Sequence, residues 1–156
     1  MKTELILVGK TNDKHFQAGI DDYCQRIGHY MPFSVTVIPE LKNTKSLSFQ
    51  QQKEREGELI LAKLQSSDHV VLLDEHGKDF RSVEFARWIE QKNASVRCLV
   101  FVIGGPYGFS EAVYSRANEK ISLSKMTFSH QMVRLVFVEQ IYRACTIIKG
   151  EPYHHE

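Results

Sequence analysis

Apolar residues gather in four short runs along the chain: ELILVG at 4–9, FSVTVIP at 33–39, HVVLLD at 69–74 and RCLVFVIGG at 97–105. Several of these carry apolar side chains at consecutive positions. Strands of a parallel sheet covered on both faces have that pattern. A shorter candidate strand is ISLS at 121–124. Between the runs the period lengthens to that of a helix. Phe16, Ile20, Tyr23, Cys24 and Ile27 share one helical face, and Gly28 can end that helix. A second helix is predicted from near Ser48, burying Leu59, Ile60 and Leu64. A third is predicted from Ser82 as N-cap to about Asn93, and a short fourth from Ser110 to about Asn118. The last spans about His130 to Lys149, with Gly150 as its stop.

This alternation predicts a single α/β domain over residues 1–156, with a mainly parallel sheet and helices on both faces. Ligands of such sheets bind beyond the carboxyl ends of the strands. The loops LDEHGK (73–78), GGPYGFS (104–110) and SLSKMTFSHQ (122–131) leave those ends and are expected at one edge. The last helix is apolar nearly all round, from Met132 and Val133 through Phe137 and Ile141 to Ile147 and Ile148. A helix apolar on most sides must be covered on most sides. A homodimer through this helix is one expectation, and a helix sandwiched inside the monomer is the other.

Composition narrows the class without naming a function. The 42% hydrophobic and 25% charged residues are those of an ordinary globular domain, able to bury a core without disulfides or metal. Net charge is +1, so any basic surface must be local. Cys24, Cys98 and Cys145 are widely spaced and form no C-x-x-C, which reads as apolar thiols in a reducing compartment. The apolar run near the N-terminus reaches at most from Leu5 to Gly9, too short for a membrane span or a signal-peptide core, so the expected location is cytoplasmic.

Chemistry concentrates in three stretches. IGGPYG at 103–108 is neither a Walker phosphate loop nor the G-x-G-x-x-G dinucleotide turn, yet it has two glycines where an ordinary strand–helix turn needs one flexible residue. SLSKMTFSHQMVRL is dense in polar atoms ahead of an apolar helix. It reads either as a helix start capped by Thr127 or Ser129, or as a ligand loop with His130 and Arg134 one turn apart. The tail KGEPYHHE looks like a frayed terminus, and its two adjacent histidines lack a third ligand at zinc spacing, so no metal is expected.

Taken together, LVGK, EGELILAKL, VVLLDEHGK, FVIGGPYG, LSKMTFSHQMVR, VEQIYRA and the terminal PYH resemble the RlmH family of SPOUT-superfamily methyltransferases over the full length. The resemblance implies an α/β fold whose C-terminal part threads a deep trefoil knot, an exception to the rule against knots. It implies S-adenosylmethionine (SAM) as cofactor, held by Leu73, Gly104 and the run Leu123, Ser124, Lys125, Met126, Thr127 and Phe128, to which adjacency adds Gly105. The implied reaction is methylation of N3 of a pseudouridine in 23S rRNA of the ribosome, with neither DNA nor a membrane as partner. N3–H lies between two carbonyls and is acidic for an amide, so a histidine is a suitable base. His130 or His154 would be that base, with Arg134 and Tyr153 orienting it or a phosphate. The tail would then close over the cofactor pocket, its own or a partner's. Ser129 and Lys149 stand where many or some relatives carry proline and arginine. A tRNA substrate, or a non-catalytic role on the ribosome, are the competing readings.

Overall fold

A computed structural model describes residues 1–156. Five strands, β1 (Lys2–Val8), β2 (Phe33–Ile38), β3 (His69–Asp79), β4 (Cys98–Ile103) and β5 (Glu119–Ser122), form one sheet in the order β2-β1-β4-β3-β5. Every pairing is parallel. Five α-helices connect them: α1 (Lys14–Ile27), α2 (Phe49–Ala62), α3 (Ser82–Ser95), α4 (Glu111–Arg116) and α5 (Met132–Lys149).

Both sheet faces are covered, as the doubly apolar strands require. Leu5, Leu7, Leu99, Phe101 and Ile103 point into a core shared with α1, α3 and α5. Ile6, Val8, Val100 and Val102, at the alternate positions, point into a second core beneath α2 and α4. Alternation of side chains across a strand is the whole reason one run serves two cores.

α5 answers the question its composition raised. Phe137, Val138, Ile141, Ala144 and Cys145 are buried within the single chain, in the core that α1 and α3 share. Gly19 of α1 lies so close to Leu135 that an added Cβ would sit 2.7 Å from its Cδ1. These apolar side chains are thus used inside the monomer, while Val136 is half-buried and Met132 and Ile148 remain exposed.

Three local expectations are corrected. Leu59 is exposed, because α2 turns Ile60 and Gly57 inward instead. Arg81, not Ser82, is the N-cap of α3: its backbone N–H donates to the Glu84 carboxylate, which frees the Ser82 hydroxyl to bond Gln140 of α5. β5 begins at Glu119, two residues earlier than its apolar pattern suggests. Glu119 accepts from His69, Lys92 and Trp88. Burial opposes its charge, but these three donors outweigh burial and hold its carboxyl below the usual range.

The pairing of β3 with β5 is interrupted once. Leu73 and Lys78 of β3 both register against Ile121 of β5. β3 remains one strand between them but its register shifts, so the intervening residues form a bulge that arches over the shared partner Ile121. Gly77 lies in that arch, and a Cβ there would fall 2.5–2.7 Å from the backbone of Ile121.

Candidate functional site

β4, β3 and β5 are neighbours in the sheet, so the loops leaving the carboxyl ends of β4 and β5 meet the stretch 73–76, which lies inside β3 and not in a loop after Asp74 as expected, because β3 runs on to Asp79. They wall a cleft of about 660 Å³. Leu73, Gly104, Gly105, Leu123, Ser124, Lys125, Met126, Thr127 and Phe128 all line it, and so does His130. Lys53 of α2 and Val133 at the start of α5 complete parts of the wall.

The two glycines work differently from what a ligand-driven reading expects. A Cβ on Gly104 would lie 2.9 Å from the Phe109 ring, and one on Gly105 would lie 2.8 Å from the Glu56 carboxylate. Both vectors meet protein. The missing side chains let the loop fold back on itself, and the cleft is presented with backbone as a result. Gly108, at φ +84°, has the left-handed conformation that makes the turn possible.

On the β3 side, Tyr114 donates its hydroxyl to the Asp74 carboxylate, which also accepts the backbone N–H of His76. Burial and the neighbouring Asp74 push the Tyr114 phenol up to about 12, so it remains a donor at neutral pH. Sequence patterns did not single out this pair. They place a negative charge and a fixed phenol beside the cleft.

On the β5 side the loop is braced at both ends. The Ser124 hydroxyl accepts from Met126 N–H, and the Ser129 hydroxyl accepts from Met132 N–H. Ser129 also receives Val133 N–H on its carbonyl, so of the two cap candidates it is Ser129 that starts the α5 turn. Gln131 exchanges hydrogen bonds with Asn12 and Lys10 in the loop after β1.

Arg134 does not enter the cleft. It is fully buried, and its guanidinium donates to the carbonyls of Val8 and Gly9 and to Thr11 Oγ1. Burial pushes its pKa down, with Glu40 acting against that shift. His130 precedes α5 and is exposed, so the shared helix face expected for His130 and Arg134 is not formed. Arg134 fastens the root of α5 to the end of β1 and thereby positions the loop that carries His130.

The tail is folded, not frayed. Tyr153 donates to Glu139 at 2.9 Å, lies 3.4 Å from the Tyr23 hydroxyl and meets Tyr142 edge-on at 4.8 Å between centroids. Burial, Tyr23 and Glu139 together push its phenol pKa up. Arg143 lies over the Tyr153 ring and approaches His154 Nδ1 at 3.1 Å. Arginine can only donate, so His154 Nδ1 accepts and the neutral ring carries its proton on Nε2. That Nε2 is buried without a hydrogen-bond partner. Glu139 and Arg143 are a helix i,i+4 pair within VEQIYRA, a spacing that could have marked them beforehand.

The cleft and the tail cluster do not meet within one chain. Val133 lines the cleft and Arg143 holds the tail, ten residues further along α5, roughly 15 Å at the helical rise. No group of three or more His, Cys, Asp or Glu side chains is placed to hold a metal ion, and no helix is long and apolar enough to cross a membrane. Cys24, Cys98 and Cys145 are free thiols, and burial pushes Cys24 and Cys145 up to about 11.

Comparison with known proteins adds a family. The model described as "Predicted SPOUT methyltransferase" matches residues 1–154. A protein of Bacteroides fragilis named ribosomal RNA large subunit methyltransferase H is 66% identical, with 100% of each chain covered. Proteins of the same name from Phocaeicola vulgatus and Flavobacterium johnsoniae are 64% and 57% identical, again over 100% of each chain.

Proposed function

The chain belongs to the SPOUT methyltransferase family, and from that premise we propose that it methylates N3 of a pseudouridine in large-subunit ribosomal RNA, with SAM as methyl donor. The observation that carries this reading is the convergence of all nine cofactor candidates and His130 on one cleft. The names of the relatives favour ribosomal RNA over tRNA.

The residues fit the cofactor. Leu73, Leu123 and Phe128 offer apolar walls for a purine, and the turn at Gly104 and Gly105 offers bare backbone. Asp74 and Glu75 bring negative charge for a sulfonium. When bound, the group supplies an electrophilic methyl.

The chain must then create and steady a nucleophile. His130 is the base that takes the N3 proton, since it is exposed in the cleft while His154 already has its proton on Nε2. Removing that proton spreads negative charge onto the flanking carbonyl oxygens, and preorganised donors stabilise such charge. The His154 Nε2–H, with Nδ1 held by Arg143, is a donor of that kind, and Tyr153, whose hydroxyl proton goes to Glu139, packs beside it. They lie roughly 15 Å along α5 from their own cleft. They therefore serve the cleft of a second copy, in a homodimer that sets one chain's tail against the other's cleft. A C-terminal trefoil knot belongs to this reading because the family implies one.

Large-subunit rRNA from a strain lacking this chain should lose one methylated pseudouridine by mass spectrometry and regain it with the wild-type chain. Identical rRNA in both strains would overturn the reading. Gly104→Val should displace the Phe109 ring and with it the loop, raising the SAM Kd at least about tenfold if one hydrogen-bonding edge is lost. Calorimetry on the folded variant showing unchanged affinity would remove this turn from the site.

A further inference from the structure

Two aromatic rings stand exposed against each other outside both cores. Phe49, the first residue of α2, stacks on Tyr107 at the tip of the glycine loop, with centroids 4.2 Å apart and planes 19° apart. Neither belongs to a core: Phe49 is 63% exposed and Tyr107 42%. Scattered exposed apolar residues need no explanation. A parallel stack of two, on the rim of a ligand cleft, is a different object. Tyr107 lines the cleft itself. Lys53 lines it as well, four residues after Phe49 and so on the same face of α2.

The chemistry of the proposed reaction supplies an occupant. To present N3, the target nucleotide must leave its stack, and its neighbour then loses a partner too. Single-stranded RNA bases are held by laying them on aromatic faces, with cations beside the backbone. We propose that the Phe49–Tyr107 stack is the platform for the nucleobase next to the target pseudouridine, and that Lys53 pairs with the phosphate joining the two. This rests on the RNA reading above. The platform lengthens an existing two-ring stack by one base, is continuous with the cleft the target enters, and has its positive charge one helical turn away.

The test uses the full-length chain and ribosomes from a strain lacking it. Wild type, F49A, Y107A and the double variant are compared for ribosome KM and kcat. SAM affinity is measured by calorimetry, and oligomeric state by sedimentation. Loss of either ring should raise the ribosome KM roughly tenfold to a hundredfold, while SAM affinity and sedimentation stay as in wild type in F49A, whose ring lies outside the cleft lining. F49W should bring the KM of the F49A protein back towards wild type, because any flat ring of sufficient area serves. K53Q should weaken binding and flatten its salt dependence by about one counterion. An active wild type with an unchanged KM in the double variant overturns the platform and leaves the RNA reading standing. Dissociation of F49A into smaller species overturns it in favour of a contact between subunits. A wild type inactive on every ribosomal substrate overturns the RNA reading and the platform with it.

Discussion

A chain ending at Glu151 should fold, bind SAM with wild-type affinity and sediment as wild type does, yet methylate ribosomes slower by about two orders of magnitude or more. The deleted residues lie far along α5 from the cleft in their own chain, so cofactor binding has no reason to change. Tyr153 and His154 are the only tail groups held by side chains of α5, through Glu139 and Arg143. His154→Ala alone should lower kcat roughly a hundredfold through loss of one positioned donor. Its acid limb in the pH–rate profile should persist, because the base is His130. Disappearance of that limb in His154→Ala would transfer the base to His154. Mixed dimers give the sharper result. A subunit lacking the tail, paired with a subunit carrying Gly104→Val, should recover one working site, since one chain keeps the cleft and the other keeps the tail. A mixture as inactive as either parent, or a wild type that sediments as a monomer at micromolar concentration, would refute the shared site.

Arg134→Met should lower stability by about 3–5 kcal/mol, from two backbone carbonyls left without donors and an imperfectly filled space. In a domain of this size that corresponds to a melting midpoint roughly 10 °C lower. Arg134→Lys should fall between, keeping the charge but losing the forked donors that reach both Val8 and Gly9. The second consequence is local. With the root of α5 released from the end of β1, SAM affinity should weaken even at temperatures where the variant is fully folded. A melting curve within about 2 °C of wild type would show that the buried guanidinium contributes little.

The strands and their shared edge were legible because side-chain alternation and doubly apolar runs report directly on a covered sheet. The convergence of 104–110 with 122–131 followed from that geometry, whereas 73–76 reach the cleft from inside β3, whose continuation to Asp79 the apolar pattern does not show. Other features depend on partners far away in sequence, and no local pattern names them. Arg134 looked like a ligand group since arginine so seldom lies in a core. Only the position of β1's last carbonyls turns it into a fastener. Gly104 and Gly105 invited a ligand explanation, whereas Phe109 and Glu56 occupy the space a side chain would need. α5 looked like an interface because its composition cannot say how many sides α1, α3 and the sheet already cover. The tail lacked any periodicity to read, and its order comes from Tyr23, Tyr142 and Arg143.

The arch between Leu73 and Lys78 also sets a timetable for biosynthesis. Its inner partner, Ile121, is translated well after the arch itself, followed by the whole of α5. Until then β3 can pair with β4 but its bulge has nothing to close upon. The nascent chain must therefore hold β1 to β4 in a state whose β3 edge is open, an edge of the kind that invites aggregation. Completion waits for the segment from Ile121 onward to leave the ribosome, which makes a proposed modifier of ribosomes dependent on release from one before it can act on another.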